Sequence, residues 1–263
     1  MLNSRFIKIY LLPFLLFAFV SSIIIFSWFR YGHLYGGGDV GLPSYDPTRT
    51  LEITKNIWWE ASAPGTTVPH GLTSVPMQYF QSALQNLGLP PFLIQAVVFW
   101  ILLFLSGYGM YLVGLTVFGK DRLYLAILSG LFYLLNPYMM IQVWHRFVHT
   151  AFFLAASLPY IFLFWRKWLQ EGKYLFLLLF LLTNFLGVYL YGTLAFAATI
   201  IILLFSVVIV EILFPWKGLR NLLMVLVRCG VGFVAWIVIH TRWIIPSFSV
   251  APAIFSLQHT IGE

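Results

Sequence analysis

The sequence predicts an all-α membrane protein: a polytopic bundle of about seven transmembrane helices, with a long first extracytoplasmic loop that contains amphipathic helices. Three observations predict it. Of 263 residues, 61% are hydrophobic and 9% charged, against about 25% charged in a soluble domain. The apolar residues form runs of about 20, the length that crosses a bilayer as helix. The basic residues fall in the short segments between those runs and are distributed unequally between the two sides that the runs define. The formal charge of +7 points to nucleic acid only when basic residues share one exposed face. Here they do not, so the bilayer is the expected partner and nucleic acid is not. Cys229 is the single cysteine, which excludes an internal disulfide and a multi-cysteine zinc site.

The first run covers residues 9–29. A secretory signal has a shorter apolar core, about 7–15 residues, and a small-residue cleavage site; this run is longer and Phe- and Ile-rich, so it is read as a retained anchor. Residues 30–91 form the first loop. Within it, "DPTRTLEITKNIWWEA" reads as a helix with Asp46 at its start and Pro47 at its first position. Leu51, Ile53, Ile57 and Trp58 give that helix an apolar face suited to an interface. "VPMQYFQSALQNLG" (75–88) is a second such stretch. Spans follow at 92–118, 123–144 and 150–165, separated by "GKDR" and "HRFVH" and closed by "RKWLQEGK". Residues 174–210 hold no charge over 37 positions; as one helix they would be about 55 Å long, too long for a hydrocarbon core of ~30 Å. The run must fold back, and "TNFLGVYLYG" (183–192) is where a break costs least. A seventh span covers 222–245, and the tail beyond it leaves the membrane.

With the N-terminus inside, ten of the 15 basic residues fall on the inner side, among them Arg5, Lys8, Lys120, Arg122, Arg166 and Lys173. Short inner loops carry such an excess. The expected location is therefore the cell (plasma) membrane, with a cytoplasmic N-terminus and the loop of 30–91 outside. The whole of 1–263 reads as one membrane domain.

That loop holds four of the eight acidic residues: Asp39, Asp46, Glu52 and Glu60. Asp39 follows three glycines and precedes Gly41; glycine allows close approach of backbone to a ligand. A carboxylate there suits a general base at the membrane surface, or a solvated residue ending the first helix. Asp46 reads as an N-cap, Glu52 and Glu60 as the wet face of its helix. Hard oxygen ligands suit Ca²⁺ or Mg²⁺, but no spacing in the cluster supports a divalent cation, so no metal and no cofactor are expected. The second polar spot is "QVWHRFVH". His145, Arg146 and His149 would lie close together, the two histidines on one face if the turn is helical. Arg146 suits either a grip on phosphate or a snorkelling anchor. The Glu that would complete H-E-x-x-H is absent. His240 and Arg242, near the outer end of the last span, would add charge or anchor it.

The stretch "GGGDVGLPSYDPTRTLEITKNIWWE" resembles the first outer loop of GT-C-type membrane glycosyltransferases, most of all the cell-wall arabinofuranosyltransferase group. The resemblance runs through Asp39, Asp46-Pro47 and Trp58-Trp59, then "LGLPPFLIQ" (87–95) and "FYLLNPYMM" (132–140), and covers residues 36–140. It implies an inverting transferase that takes a sugar from a polyprenyl-phosphate donor to a hydroxyl of a glycan, lipid or protein acceptor on the outer face. It implies Asp39 as the catalytic base; Asp46, His145, Arg146 and His149 are the candidate substrate-binding residues. Members of that group are much longer, so the chain is expected to be an N-terminal module. A transporter or flippase of lipid-linked sugars, or a non-catalytic envelope-assembly subunit, is the alternative. Transporters commonly carry inverted repeats, and none is visible here.

Overall fold

A computed structural model describes residues 6–36, 44–56, 58–59, 66–67, 69–146, 148–214 and 218–261. The described chain is all-helical, apart from a two-residue antiparallel ladder, Trp58–Trp59 with Thr66–Thr67. Five helices are long and apolar enough to cross a membrane, and the protein is a membrane protein. They are α1 (Ile7–Phe29, opening with a π-turn), α4 (Pro91–Phe118), α5 (Leu123–Leu134, whose apolar stretch runs over Lys120–Ile141), α8 (Leu194–Leu213) and α9 (Leu219–Ile261, apolar over Leu219–Phe248). The others are α2 (Pro47–Thr54), α3 (Val75–Asn86), α6 (His149–Glu171) and α7 (Tyr174–Leu186). Short 3₁₀ segments, Pro69–Ser74 and Val188–Gly192, lie before α3 and between α7 and α8.

The difference between five helices and the expected seven lies in α6 and α7. α6 has 23 residues but mixes Ser, Pro, Arg and Lys into its apolar sequence. It is enclosed by neighbouring helices, with Phe152, Ala155, Ile161, Trp165 and Leu169 all buried, so its surface need not match lipid. α7 has 13 residues, about 20 Å of helix. The uncharged run does break where expected. α7 ends at Gly187, a 3₁₀ turn follows, and α8 starts after Thr193. The final helix, by contrast, runs through Pro246 and Pro252 to Ile261 instead of stopping near residue 245.

Packing is tight where side chains are small. Phe17 of α1 is fully buried and lies against both Gly107 of α4 and Gly130 of α5. Close backbone approach of this kind is how helices associate in lipid, where burial of apolar surface gives little drive. Buried tryptophans tie helices together through their N–H groups. Trp165 donates to Leu204 O (3.1 Å) and Trp168 to Arg228 O (2.9 Å).

Two ends of the bundle are chemically distinct. At one end, Lys120 stands 6.0 Å from the Tyr10 ring, Arg166 Nε donates to Glu211 at 2.8 Å, and Arg228 donates to the carbonyls of Leu169 and Gln170 (2.7 and 2.9 Å). Arg228 thereby satisfies the open C-terminus of α6, which turns at Gly172 with φ +66°. The opposite end gathers the C-terminus of α1, the N-termini of α4 and α6, the 3₁₀ turn after α7, and α2 with α3.

Candidate functional site

The short helices at that second end are held by polar side chains. Asp46 caps α2, accepting from the Arg49 N–H at 3.0 Å, and Pro47 fills the first helical position. α2 lies on α3 through three more hydrogen bonds. The Thr48 N–H donates to Gln85 Oε1 (2.8 Å), the hydroxyls of Thr48 and Ser82 meet at 3.0 Å, and Gln85 Nε2 donates to Asp46 (3.1 Å). The segment after α1 is pinned to α4 by a two-way amide clamp: the Tyr35 N–H donates to Gln95 Oε1 (2.8 Å) and Gln95 Nε2 to Tyr35 O (2.6 Å).

These elements enclose a cavity of about 420 Å³. α2 contributes Asp46, Arg49 and Ile53; α3 contributes Met77, Gln78 and Gln81; α4 contributes Ile94 and Gln95. His149 from the start of α6 and Tyr189 from the 3₁₀ turn complete the wall, and Leu34, Ser44 and Tyr45 stand at its edge. Beside it lies a second cavity, also about 420 Å³, that is almost wholly apolar. Val98, Leu102 and Leu105 of α4, Phe153 and Tyr160 of α6, and Leu179 and Leu182 of α7 line it. Met77 lines both.

The electrostatics of the polar cavity are mild. The Arg49 N–H and the Gln85 amide hold the Asp46 carboxyl below its usual range. Arg49 is itself engaged by Glu52 at 2.9 Å. His149 precedes the apolar run of 150–165 and packs edge-on to Phe99 at 5.6 Å between rings. Gln78 and Gln81 are 6% and 8% exposed, and their side-chain carbonyl oxygens are buried with no hydrogen-bond partner among the described residues.

Of the residues singled out from sequence, Asp46 and His149 come together on this cavity. Asp39 and Glu60 lie outside the described residues. His145 and Arg146 line neither cavity. His145 is exposed and Arg146 partly buried, in a π-helical turn (Met139–His145) that ends before α6 begins. Since the chain is extended at Val148, the two histidines do not share one continuous helical face. His240 is not an interfacial charge: it is fully buried, and its Nδ1 accepts from Trp243 Nε1 at 3.1 Å. Among the described residues, no group of three or more His, Cys, Asp or Glu side chains is arranged to hold a metal ion. Sequence reasoning missed Gln78, Gln81, Gln95 and Tyr189. For Gln78 and Gln81 a signal exists. Residues 74, 78, 81, 82 and 85 form a polar stripe at helical spacing, and that stripe turns inward while Tyr79 and Phe80 are exposed.

No protein-family model matches the chain, and neither a curated protein nor a solved structure was found to be similar to it.

Proposed function

We propose that the chain is a membrane glycosyltransferase of GT-C type, or the N-terminal module of one. It transfers a sugar from a polyprenyl-phosphate donor to an acceptor hydroxyl on the outer face of the plasma membrane. The observation that carries this reading is the adjoining pair of cavities: a polar one at the end of the bundle and an apolar one running beside it between α4, α6 and α7. A lipid-linked sugar has the same division into a wet head and a dry tail. Leu34 and Ser44, which flank the Asp39 segment in sequence, both line the polar cavity; this supports Asp39 as the base. In the step, the acceptor oxygen bonds to the anomeric carbon as the bond to the phosphate oxygen breaks. The phosphate leaves with the electron pair, and Asp39 takes the acceptor proton. Of the residues expected around the donor phosphate, His149 lines the polar cavity, and Arg146 with His145 lies outside both cavities. The basic end of the bundle is cytoplasmic, and α6 and α7 also cross, giving seven spans.

The test is transfer by membranes carrying the protein, supplied with radiolabelled polyprenyl-phosphate sugars. Asp39→Asn removes the base at nearly constant shape and is expected to lower transfer at least about 100-fold, with expression unchanged. Transfer at the parental rate refutes the assignment.

A further inference from the structure

The apolar cavity is built from three helix faces of the same spacing. Positions 98, 101, 102 and 105 of α4, 153, 156, 157 and 160 of α6, and 179, 182, 183 and 186 of α7 line it. Each set runs i, i+3, i+4, i+7, which is one side of a helix. α4 and α7 both pack along α6 and scarcely on each other. The cavity is therefore a groove about 10 Å long, with α6 as its floor and α4 and α7 as its sides. At the polar end α3 lies across it with Pro76, Met77 and Phe80. At the other end stands Tyr160, whose ring lies so close to Gly109 of α4 that a Cβ there would meet it at 2.6 Å.

The floor is covered and one side is not. Leu102, Phe153 and Ala156 are buried, whereas Leu182 and Leu186 are 47% and 58% exposed although both line the groove. The groove opens sideways along α7. That helix belongs to the uncharged run of 174–210, and α4 opposite is one of the helices that can cross a membrane, so the medium at the opening is lipid. Water has little to hold it inside. The lining carries no charged side chain and three hydroxyls, Ser157, Tyr160 and Thr183. Thr183 already donates to Leu179 O at 2.8 Å, and a buried water needs about two to four polar partners. Left empty, the groove would cost its lining side chains their contacts on that side. A hydrocarbon chain supplies those contacts and stands next to the opening.

We propose that this groove takes one hydrocarbon chain of a bilayer lipid, which enters sideways past Leu182 and Leu186, lies on the floor of Leu102, Phe153 and Ala156, and ends against Tyr160. The polar end of that lipid then reaches α3, where Met77 borders the polar cavity. Any lipid with a free chain suits the groove. The proposal rests on the transferase reading only for naming that chain as a donor's, and chain binding is measured without transfer.

The experiment places the full chain in nanodiscs of palmitoyl-oleoyl phosphatidylcholine doped with a phosphatidylcholine that carries a diazirine at mid-chain. Light is followed by peptide mapping of the labelled positions. Phe26 on α1, 71% exposed, is the reference for ordinary lipid contact. The parent protein is expected to be labelled at Phe26 and also on the floor, at Leu102, Phe153 or Ala156, buried positions that lipid outside the groove does not reach. Ala156→Phe fills the groove from its floor. Label at Leu102 and Phe153 should then fall at least about tenfold relative to Phe26, with Tm equal to or above the parent's. Ala156→Leu, a smaller filling, should lower the floor label in part. Labelling of Phe26 without the floor in the parent overturns the proposal, whether the groove is empty or closed by protein. So does floor labelling that neither filling changes relative to Phe26. If the floor is labelled as expected while Asp39→Asn transfers normally, the groove stands and the transferase assignment fails. If Asp39→Asn abolishes transfer while the parent's floor stays unlabelled, this proposal alone fails.

Discussion

The same substitution, Gly→Ala, should act with opposite sign at two places in this bundle. At position 130 of α5 a Cβ would stand 2.6 Å from the backbone oxygen of Gly107 in α4, and closer still to the ring of Phe17. The ring cannot give way cheaply, because Phe17 is 0% exposed and packs on Tyr111 at 6.0 Å. The backbone oxygen moves only if α4 moves. Overpacking a filled core costs about 1–3 kcal/mol, and with helix backbone as one of the two obstacles the upper part applies, about 2–3 kcal/mol. For a chain of this size each kcal/mol shifts Tm by about 2–4 °C. Gly130→Ala should therefore lower Tm by roughly 4–12 °C. Gly230, on α9, is exposed, and a Cβ there meets no heavy atom within 4 Å. Gly230→Ala should gain up to about 1 kcal/mol by restricting the unfolded chain. The assay is thermal unfolding of the purified protein in detergent, followed by helical circular dichroism. Combining Gly130→Ala with Phe17→Leu should cost less than the sum of the single changes, because the two share one contact. Equal Tm values for the two alanine variants, or strict additivity with Phe17→Leu, would refute the packing described for α1, α4 and α5.

Two further outcomes are expected. Asn184 Oδ1 accepts from the Tyr191 hydroxyl and from Trp236 Nε1 (3.2 Å), all three buried, and Trp236 Nε1 also donates to the Tyr191 oxygen (3.1 Å); Asn184→Leu strands the Tyr191 hydroxyl and should cost about 1–3 kcal/mol, read as a lower Tm and altered Trp fluorescence. Asp46 has a folded pKa below its unfolded one, so its cap contributes above the ordinary carboxylate pKa and is lost as pH falls through the lower folded value. Amide exchange in α2 should accelerate below about pH 4 in the parent and much less in Asp46→Asn, which keeps an accepting oxygen; identical profiles would remove the carboxylate from the cap.

The bundle was legible because lipid leaves few choices. An uncharged run of 37 residues has to break, and Gly187 and the 3₁₀ turn at Val188–Gly192 are where it does. Asp46-Pro47 announced a helix start through chemistry local to four residues, and the cap formed. The helix itself stops at Thr54, short of the expected tryptophans, because Lys55 and Asn56 leave no apolar face to carry it on. What sequence hid was direction. α3 reads as a helix with polar and apolar stripes, and water as solvent would turn the glutamines outward. In the structure the stripe turns inward: Tyr79 and Phe80 are exposed while Gln78, Gln81 and Ser82 are buried. The histidine pair failed for a related reason. Spacing of four counts only on continuous helix, and the extended residue Val148 interrupts it.

Met77 belongs to both chambers, and among the described residues it is the one side chain common to their walls. A methionine is unbranched and turns about three bonds, so it adapts its shape with little strain. A turn of that one thioether would change the shape of both chambers together.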